Sequence, residues 1–81
     1  MKRKHAKTLD AIMRADGNVD MRDVEALIVA VGGYIDDRGN GFYRARLHET
    51  RMTYDRPHPR NEIGRGLAKR FRDLFKEAGI S

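Results

Sequence analysis

The chain has 81 residues, with 17 Lys and Arg against 12 Asp and Glu, a formal net charge of +5 and no cysteine. This length predicts a single domain over residues 1–81 with a small core, and the missing cysteines exclude a disulfide framework and a thiolate metal site. No apolar signal core follows the basic start, and no run approaches the roughly 20 apolar residues of a membrane span. We therefore expect a soluble cytoplasmic protein without a membrane partner.

The charge is unevenly distributed along the chain. Acidic residues are concentrated in the first half, whereas arginines recur from Arg38 onward. A basic excess can simply keep a small protein soluble, but a basic patch favours an anionic partner. The uneven distribution favours a binding surface in the second half.

Two helices are predicted first. Apolar residues at helical spacing indicate a helix over residues 5–16, which we expect to end at Gly17. Asp20 is a suitable N-cap for a second helix that ends at Gly32 and Gly33. The apolar stripe of this second helix comprises Val24, Leu27, Ile28 and Val31.

Three strands are predicted next, because the apolar period changes from helical to two. Asn40 and Gly41 predict a tight hairpin turn, since both can adopt positive φ. A second turn is expected at His48, Glu49 and Thr50. One face then carries Tyr43, Ala45, Leu47, Met52 and Tyr54, and the opposite face carries Phe42, Arg44, Arg46, Arg51 and Thr53.

A third helix closes the chain. Pro57 and Pro59 exclude a central strand before it, and Gly79 is a fitting residue just past its end. Its apolar stripe comprises Leu67, Phe71, Leu74, Phe75 and Ala78. The order ααβββα predicts an α+β domain in which helices cover one face of a three-stranded antiparallel sheet.

Two basic surfaces are candidate RNA-binding sites. Arg44, Arg46 and Arg51 lie beside Phe42 on the predicted outward face, and guanidinium groups with a ring can bind phosphates and bases. A polar outward face is also ordinary for any sheet. The second surface is a stripe along the last helix that contains no acidic residue and comprises Arg65, Lys69, Arg72 and Lys76. A charged stripe is equally typical of any surface helix.

His58 is the candidate catalytic residue. Pro57 and Pro59 restrict the backbone around it, and Arg56 and Arg60 disfavour its protonated form. A neutral imidazole can accept a proton from a ribose 2′-hydroxyl while Arg56 and Arg60 hold the phosphate. The alternative is a loop histidine bonded to the backbone. No histidine pair has metal-binding spacing, so we expect neither a metal nor another cofactor.

The segment RPHPRNEIGRGLAKRFRDLFKEAGIS resembles the end of HicA-type toxins of bacterial toxin–antitoxin pairs. KHAKTL, RDVEALIVAVGG and RPHP are similar to a divergent subgroup of that family. The likeness covers most of the chain and depends on the order and spacing of these motifs. It implies a double-stranded-RNA-binding-domain-like fold, metal-independent cleavage of mRNA independent of the ribosome, and neutralisation by a HicB-type antitoxin from the same operon.

One position departs from the family pattern. The family has Gly-Ser-His at the start of its second strand, with a catalytic histidine, whereas this chain has Gly39, Asn40 and Gly41. Glycine cannot transfer a proton. Three explanations compete. The chain is a non-cleaving member, its chemistry has moved to His58 or His48, or its sequence has been altered to inactivate it. The natural Asn-Gly turn argues against the third.

Two other functions remain alternatives. One is an RNA-binding or interaction module without catalysis, which the missing family histidine favours. The other is a DNA-binding regulator that uses the first two helices as a helix-turn-helix. We rank it lower, because the exposed face of the second helix is expected to carry Arg22, Asp23 and Glu25, and carboxylates there repel phosphates.

Overall fold

A computed structural model describes residues 1–56 and 61–80. The elements are α1 (Arg3–Met13), α2 (Met21–Ala30), β1 (Tyr34–Gly39), β2 (Phe42–Leu47), β3 (Thr50–Asp55) and α3 (Gly64–Glu77). The strands form an antiparallel sheet in the order β1-β2-β3. The predicted ααβββα layout is therefore confirmed, with α2 packed on β1 and β2, α3 packed on β3, and α1 packed on both of these helices.

The core lies between the helices and one face of the sheet. Burial of apolar side chains is the main stabilising contribution in such a layered domain. The predicted stripes supply most of it, and the buried residues are Ile12, Ala15, Met21, Val24, Leu27, Ile28, Ala45, Leu47, Tyr54, Ile63, Ala68, Phe71, Leu74 and Phe75.

The end of α1 differs from the prediction. The helix ends at Met13, and Ala15 adopts a left-handed φ of 55°. The N–H groups of Ala15 and Asp16 donate to Ile12 and Ala11, which is a Schellman cap with alanine in the usual glycine position. Gly17 serves the packing instead, because a Cβ there would come within 2.5 Å of the backbone nitrogen of Arg65.

The first hairpin turn follows the prediction. Asn40 and Gly41 have φ values of 56° and 81°, and Gly39 pairs with Phe42 across them. Two positive φ values in a two-residue connection match the right-handed twist of the strands. The second turn is one residue shorter than expected, because Thr50 pairs with Leu47 and begins β3.

No helix in residues 1–56 and 61–80 is long and apolar enough to cross a membrane.

Candidate nucleic-acid interface

The face of the sheet that points away from the helices carries a distinct set of side chains. We call it the outer face. The strand register places Tyr34, Arg46 and Arg51 in one row across the three strands, and Asp36, Arg44 and Thr53 in the next. The outer face comprises Tyr34, Asp36, Phe42, Arg44, Arg46, Arg51, Thr53 and Asp55, all exposed except the half-buried Asp36 and Arg44.

Arg46 and Arg51 are direct cross-strand neighbours on the outer face. Like charges in this position destabilise a sheet by a few tenths of a kcal/mol to about 1 kcal/mol. Within the described part of the chain neither residue forms an ion pair, and Arg46 only donates from Nη1 to Tyr34 Oη at 3.2 Å. An anion bound between the two guanidinium groups would relieve their repulsion.

Arg44 extends this basic surface along β2. Its Nε is buried and has no hydrogen-bond partner among residues 1–56 and 61–80. It pairs across the strands with Asp36 and Thr53, but Asp36 contacts Arg38 instead, with Oδ2 3.8 Å from Nη1. A buried donor without an acceptor costs free energy. Because Nε itself is buried, Arg44 would contact a phosphate through the terminal nitrogens of its guanidinium group.

Two aromatic rings are exposed on the outer face. Phe42 is 49% exposed and Tyr34 is 48% exposed. The sequence indicated Phe42 but missed Tyr34, because a register irregularity between Asp37 and Gly39 shifts the pairing of β1. Without that bulge Tyr34 would face Leu47 on the covered side of the sheet, since one residue of slip reverses the face.

A different arrangement surrounds Arg56, where β3 meets α2. Arg56 donates from Nη2 to Glu25 Oε1 at 2.8 Å and from Nε to Oε2 at 3.0 Å. Tyr54 Oη donates to the same Oε2 at 2.7 Å, and Arg56 Cζ lies 4.0 Å from the centre of the Tyr43 ring. We call this group of four residues the Glu25–Arg56 clasp; it links α2 to the end of the sheet.

Two residues of the clasp, Tyr54 and Arg56, have raised pKa values. Burial raises the pKa of Tyr54 far above its usual range, and the hydrogen bond to Glu25 raises it further. The hydrogen bond to Glu25 also raises the pKa of Arg56. The Glu25 side chain is only 12% exposed and that of Arg56 is 47% exposed. The expectation that Glu25 lies on the exposed face of α2 is therefore wrong, because Tyr54 and Arg56 satisfy its carboxylate inside the fold.

The basic stripe of α3 faces away from the outer face, because α3 packs on the covered side of β3. Arg65, Lys69 and Lys76 are exposed, and the Nε of the half-buried Arg72 is 3.5 Å from Asp73 Oδ1. The structure therefore does not bring the two predicted basic surfaces together.

Sequence reasoning also missed Arg70. Its Nη2 donates to the carbonyl of Thr53 in β3. This contact covers a carbonyl of the edge strand β3, and edge carbonyls that remain open invite unwanted strand pairing. No local pattern in the sequence signals it, because it depends on how α3 docks on the sheet.

The candidate catalytic histidines have different outcomes. His58 and Arg60 lie outside the described residues. His48 has a positive φ in the second turn, and its Nδ1 lies 2.8 Å from the carbonyl oxygen of Ala78. Because a carbonyl only accepts, Nδ1 carries the proton, and His48 ties this turn to the end of α3.

No metal site emerges from the described ranges. Within residues 1–56 and 61–80 no group of three or more His, Cys, Asp or Glu side chains could hold a metal ion. The chemistry that these ranges offer is the binding of anions and of planar groups by exposed guanidinium groups and rings.

No protein-family model, no curated protein and no solved structure matches the chain. The resemblance to HicA-type toxins therefore rests on the motifs quoted above, and the likeness to double-stranded-RNA-binding domains stays a prediction.

Proposed function

We propose that this chain is the RNA-binding toxin component of a type II toxin–antitoxin pair, of the HicA type. It acts in the cytoplasm, cleaves mRNA without a metal, and is neutralised by a HicB-type antitoxin. The observation that carries the RNA-binding part is the outer face, where Arg44, Arg46 and Arg51 form no ion pair with the described residues. Phosphate is the partner that such guanidinium groups suit best.

Binding of phosphates by these arginines has a measurable signature. Each neutralised phosphate on a single strand releases counterions, which contributes a slope of about −0.7 to a plot of log affinity against log salt concentration. If Arg44, Arg46 and Arg51 each hold one phosphate, they contribute a slope of about −2 together. The stripe of α3 is a second candidate contact, and alanine variants of Lys69 and Lys76 distinguish it from the outer face.

Cleavage in this proposal is assigned to His58, with Arg60 beside it in the sequence. A neutral imidazole would take the proton of a ribose 2′-hydroxyl as that oxygen attacks the adjacent phosphorus. The bond from phosphorus to the 5′-oxygen of the next nucleotide breaks, and that oxygen takes a proton from water, which leaves a 2′,3′-cyclic phosphate and a 5′-hydroxyl. Arg56 differs from the other predicted RNA-binding residues, since its guanidinium is held by Glu25. We assign Arg56, which lies two residues before His58, the role of fixing the end of β3.

A non-catalytic RNA-binding module is the second candidate function. Gly41 occupies the tight β1–β2 turn in place of the family's histidine, and His48 is bonded to the end of α3. The first observation removes the family's base, and the second leaves Nε2 of His48 free, so His58 and His48 are the two candidate bases in the second half of the chain. His58→Ala separates the two functions: lost cleavage with retained RNA binding supports the enzyme, and unchanged cleavage removes His58 from the mechanism.

The toxin function is tested in cells. The chain is expressed from a tightly controlled promoter, with and without the neighbouring antitoxin gene, and growth and mRNA integrity are followed after induction. We expect growth arrest and mRNA cleavage that the antitoxin gene prevents. Arrest without cleavage supports a binding-only toxin, whereas normal growth with intact mRNA contradicts the toxin function.

A further inference from the structure

The two exposed rings of the outer face are separated by a basic residue. Phe42 and Arg44 lie two residues apart on β2, and Arg46, which pairs with Tyr34 on β1, lies two residues further. With a rise of about 3.4 Å per residue and about 4.8 Å between strands, the backbones of Phe42 and Tyr34 are separated by about 14 Å. Arg44 lies between them, so a ring, a cation and a second ring follow one another across the face.

This order of side chains suits a single strand of nucleic acid. Unpaired bases stack on aromatic rings without regard to sequence, while nearby cations hold the backbone. In a duplex the bases are stacked on one another, so rings on an open sheet face would gain nothing from it. The half-exposed rings therefore discriminate between single-stranded and duplex RNA in a way that the arginines alone cannot.

We propose that the outer face binds single-stranded RNA, with one base stacked on Phe42, another on Tyr34, and the intervening phosphates held by Arg44, Arg46 and Arg51. This inference rests on the proposed RNA-binding function and deepens it. Arg46 links the basic and the aromatic residues of the outer face, because its guanidinium donates a hydrogen bond to the hydroxyl of Tyr34. The bond orients the cation beside the ring, where the phosphate next to a stacked base would lie.

A protein partner would suit the outer face less well. Arg and aromatic residues are also common in protein interfaces, but the facing pair Arg46 and Arg51 would then need carboxylates at closely matched positions. A nucleic-acid strand provides an anion beside every base. The carboxylates of Asp36 and Asp55 leave the net charge of the outer face positive, because Arg44, Arg46 and Arg51 outnumber them.

The test compares leucine substitutions of the two rings. Phe42→Leu and Tyr34→Leu keep an apolar side chain but remove the stacking surface. Binding is measured with a 12-nucleotide single-stranded RNA and with a 12-base-pair duplex of the same sequence, over several salt concentrations. Val29→Ala, which alters an exposed apolar residue of α2, is the matched control, and circular dichroism confirms that each variant is folded.

We expect each leucine variant to lose between about 5-fold and about 100-fold in affinity for the single strand. The salt dependence should stay unchanged, since no charge is removed, and duplex binding should be unaffected. Phe42→Tyr, which retains a ring, should keep the affinity of the original chain. These results together would support the stacking of bases on the two rings.

Other results overturn the inference in distinguishable ways. Unchanged single-strand affinity in both leucine variants, or tighter binding of the duplex than of the single strand, would reject base stacking while leaving RNA binding intact. If the unaltered chain binds neither RNA, the proposed function itself fails. If the leucine variants bind RNA normally but lose the protein encoded by the adjacent gene, the outer face is a protein-docking surface.

Discussion

Arginine occupies two contrasting environments in this molecule. In the Glu25–Arg56 clasp, the guanidinium makes two bonds to a mostly buried carboxylate and lies over the Tyr43 ring. On the outer face, Arg46 and Arg51 lie opposite each other and have no carboxylate partner among residues 1–56 and 61–80. Arginine thus stabilises the fold in the clasp and slightly destabilises it on the outer face.

This difference teaches how to distinguish arginines that hold a fold from those that bind a ligand. Net charge does not separate them, because Arg46, Arg51 and Arg56 all lie in the basic second half of the chain. What distinguishes the two kinds of arginine is whether the guanidinium group already donates hydrogen bonds to acceptors within the fold. A group that does gains little from binding a phosphate. Substitution of the clasp arginine should therefore lower the free energy of unfolding, whereas substitution of the outer-face arginines should weaken RNA binding.

The largest effect is expected from Arg56→Ala. This change leaves the carboxylate of Glu25, which is 12% exposed, without its cation. Breaking a fully buried pair costs about 3–5 kcal/mol, and because the side chain of Arg56 is 47% exposed we expect a smaller loss of about 2–3 kcal/mol. Urea denaturation measures the free energy of unfolding. Arg46→Ala is the matched control and should change it by less than about 0.5 kcal/mol; equal losses in both variants would remove the distinction.

The next effect is the loss of RNA binding in the Arg46→Ala/Arg51→Ala double variant. We expect a 10- to 100-fold weaker affinity for single-stranded RNA, since charge-assisted hydrogen bonds contribute about 1.5–3 kcal/mol each before losses from flexibility and solvation. The slope of log affinity against log salt should become less negative by about 1.4. Fluorescence anisotropy with a labelled 12-nucleotide RNA measures both quantities. Arg3→Ala removes an exposed cation from α1 as the control; an equal loss there would indicate diffuse charge rather than a site.

A smaller effect concerns Asp20, which caps α2 and pairs with Arg22. Asp20 Oδ1 accepts from the backbone N–H of Arg22 at 2.8 Å, and Arg22 Nη2 lies 2.9 Å from Oδ2. These bonds lower the pKa of Asp20, the side-chain bond most. The carboxylate therefore stabilises the fold at neutral pH, and this contribution is lost as the pH falls through the lowered pKa.

Asp20→Ala is accordingly expected to cost about 1 kcal/mol at neutral pH and progressively less in acid. Urea denaturation at neutral pH and at a pH below the ordinary carboxyl range measures the two values. Asp20→Asn keeps a capping oxygen and should show a smaller cost without this pH dependence. A cost that is independent of pH in the alanine variant would show that the charge of Asp20 is unimportant.

The smallest effect should have the opposite sign. Arg51→Thr removes the like-charge contact with Arg46 and places a β-branched residue in β3, so we expect stability to rise by about 0.2–1 kcal/mol. RNA affinity should fall in the same variant. Thermal unfolding measured with and without RNA detects both changes. A loss of stability would show that Arg51 contributes to the fold and contradict its assignment to ligand binding.

Much of the fold could be predicted from local signals in the sequence. Asp20 caps α2 as its residue type predicts, and the Asn40–Gly41 turn sets the first hairpin. The alternation along β2 correctly separates Ala45 and Leu47 from Arg44 and Arg46. These features succeed because each depends on residues that are close neighbours along the chain.

The features that escaped prediction depend on tertiary structure or on small departures from regular geometry. The clasp joins residues 31 positions apart, so no periodic pattern connects Glu25 with Arg56. Tyr34 reaches the outer face only because β1 has a bulge before Gly39, and a bulge has weak sequence signals. Ala15, just past the end of α1, has a positive φ that glycine adopts more easily. The sequence therefore favoured Gly17, and not Ala15, as the residue that ends the helix.

The most direct test of the contrast between the two regions follows the arginine side chains themselves. In a ¹H–¹⁵N spectrum, each Nε–Hε group gives a signal that responds to a phosphate bound nearby. On addition of the 12-nucleotide single-stranded RNA, we expect the signals of Arg44, Arg46 and Arg51 to shift in a saturable manner while that of Arg56 stays in place. A shift of Arg56 with the three outer-face signals unchanged would contradict the assignment of RNA binding to the outer face.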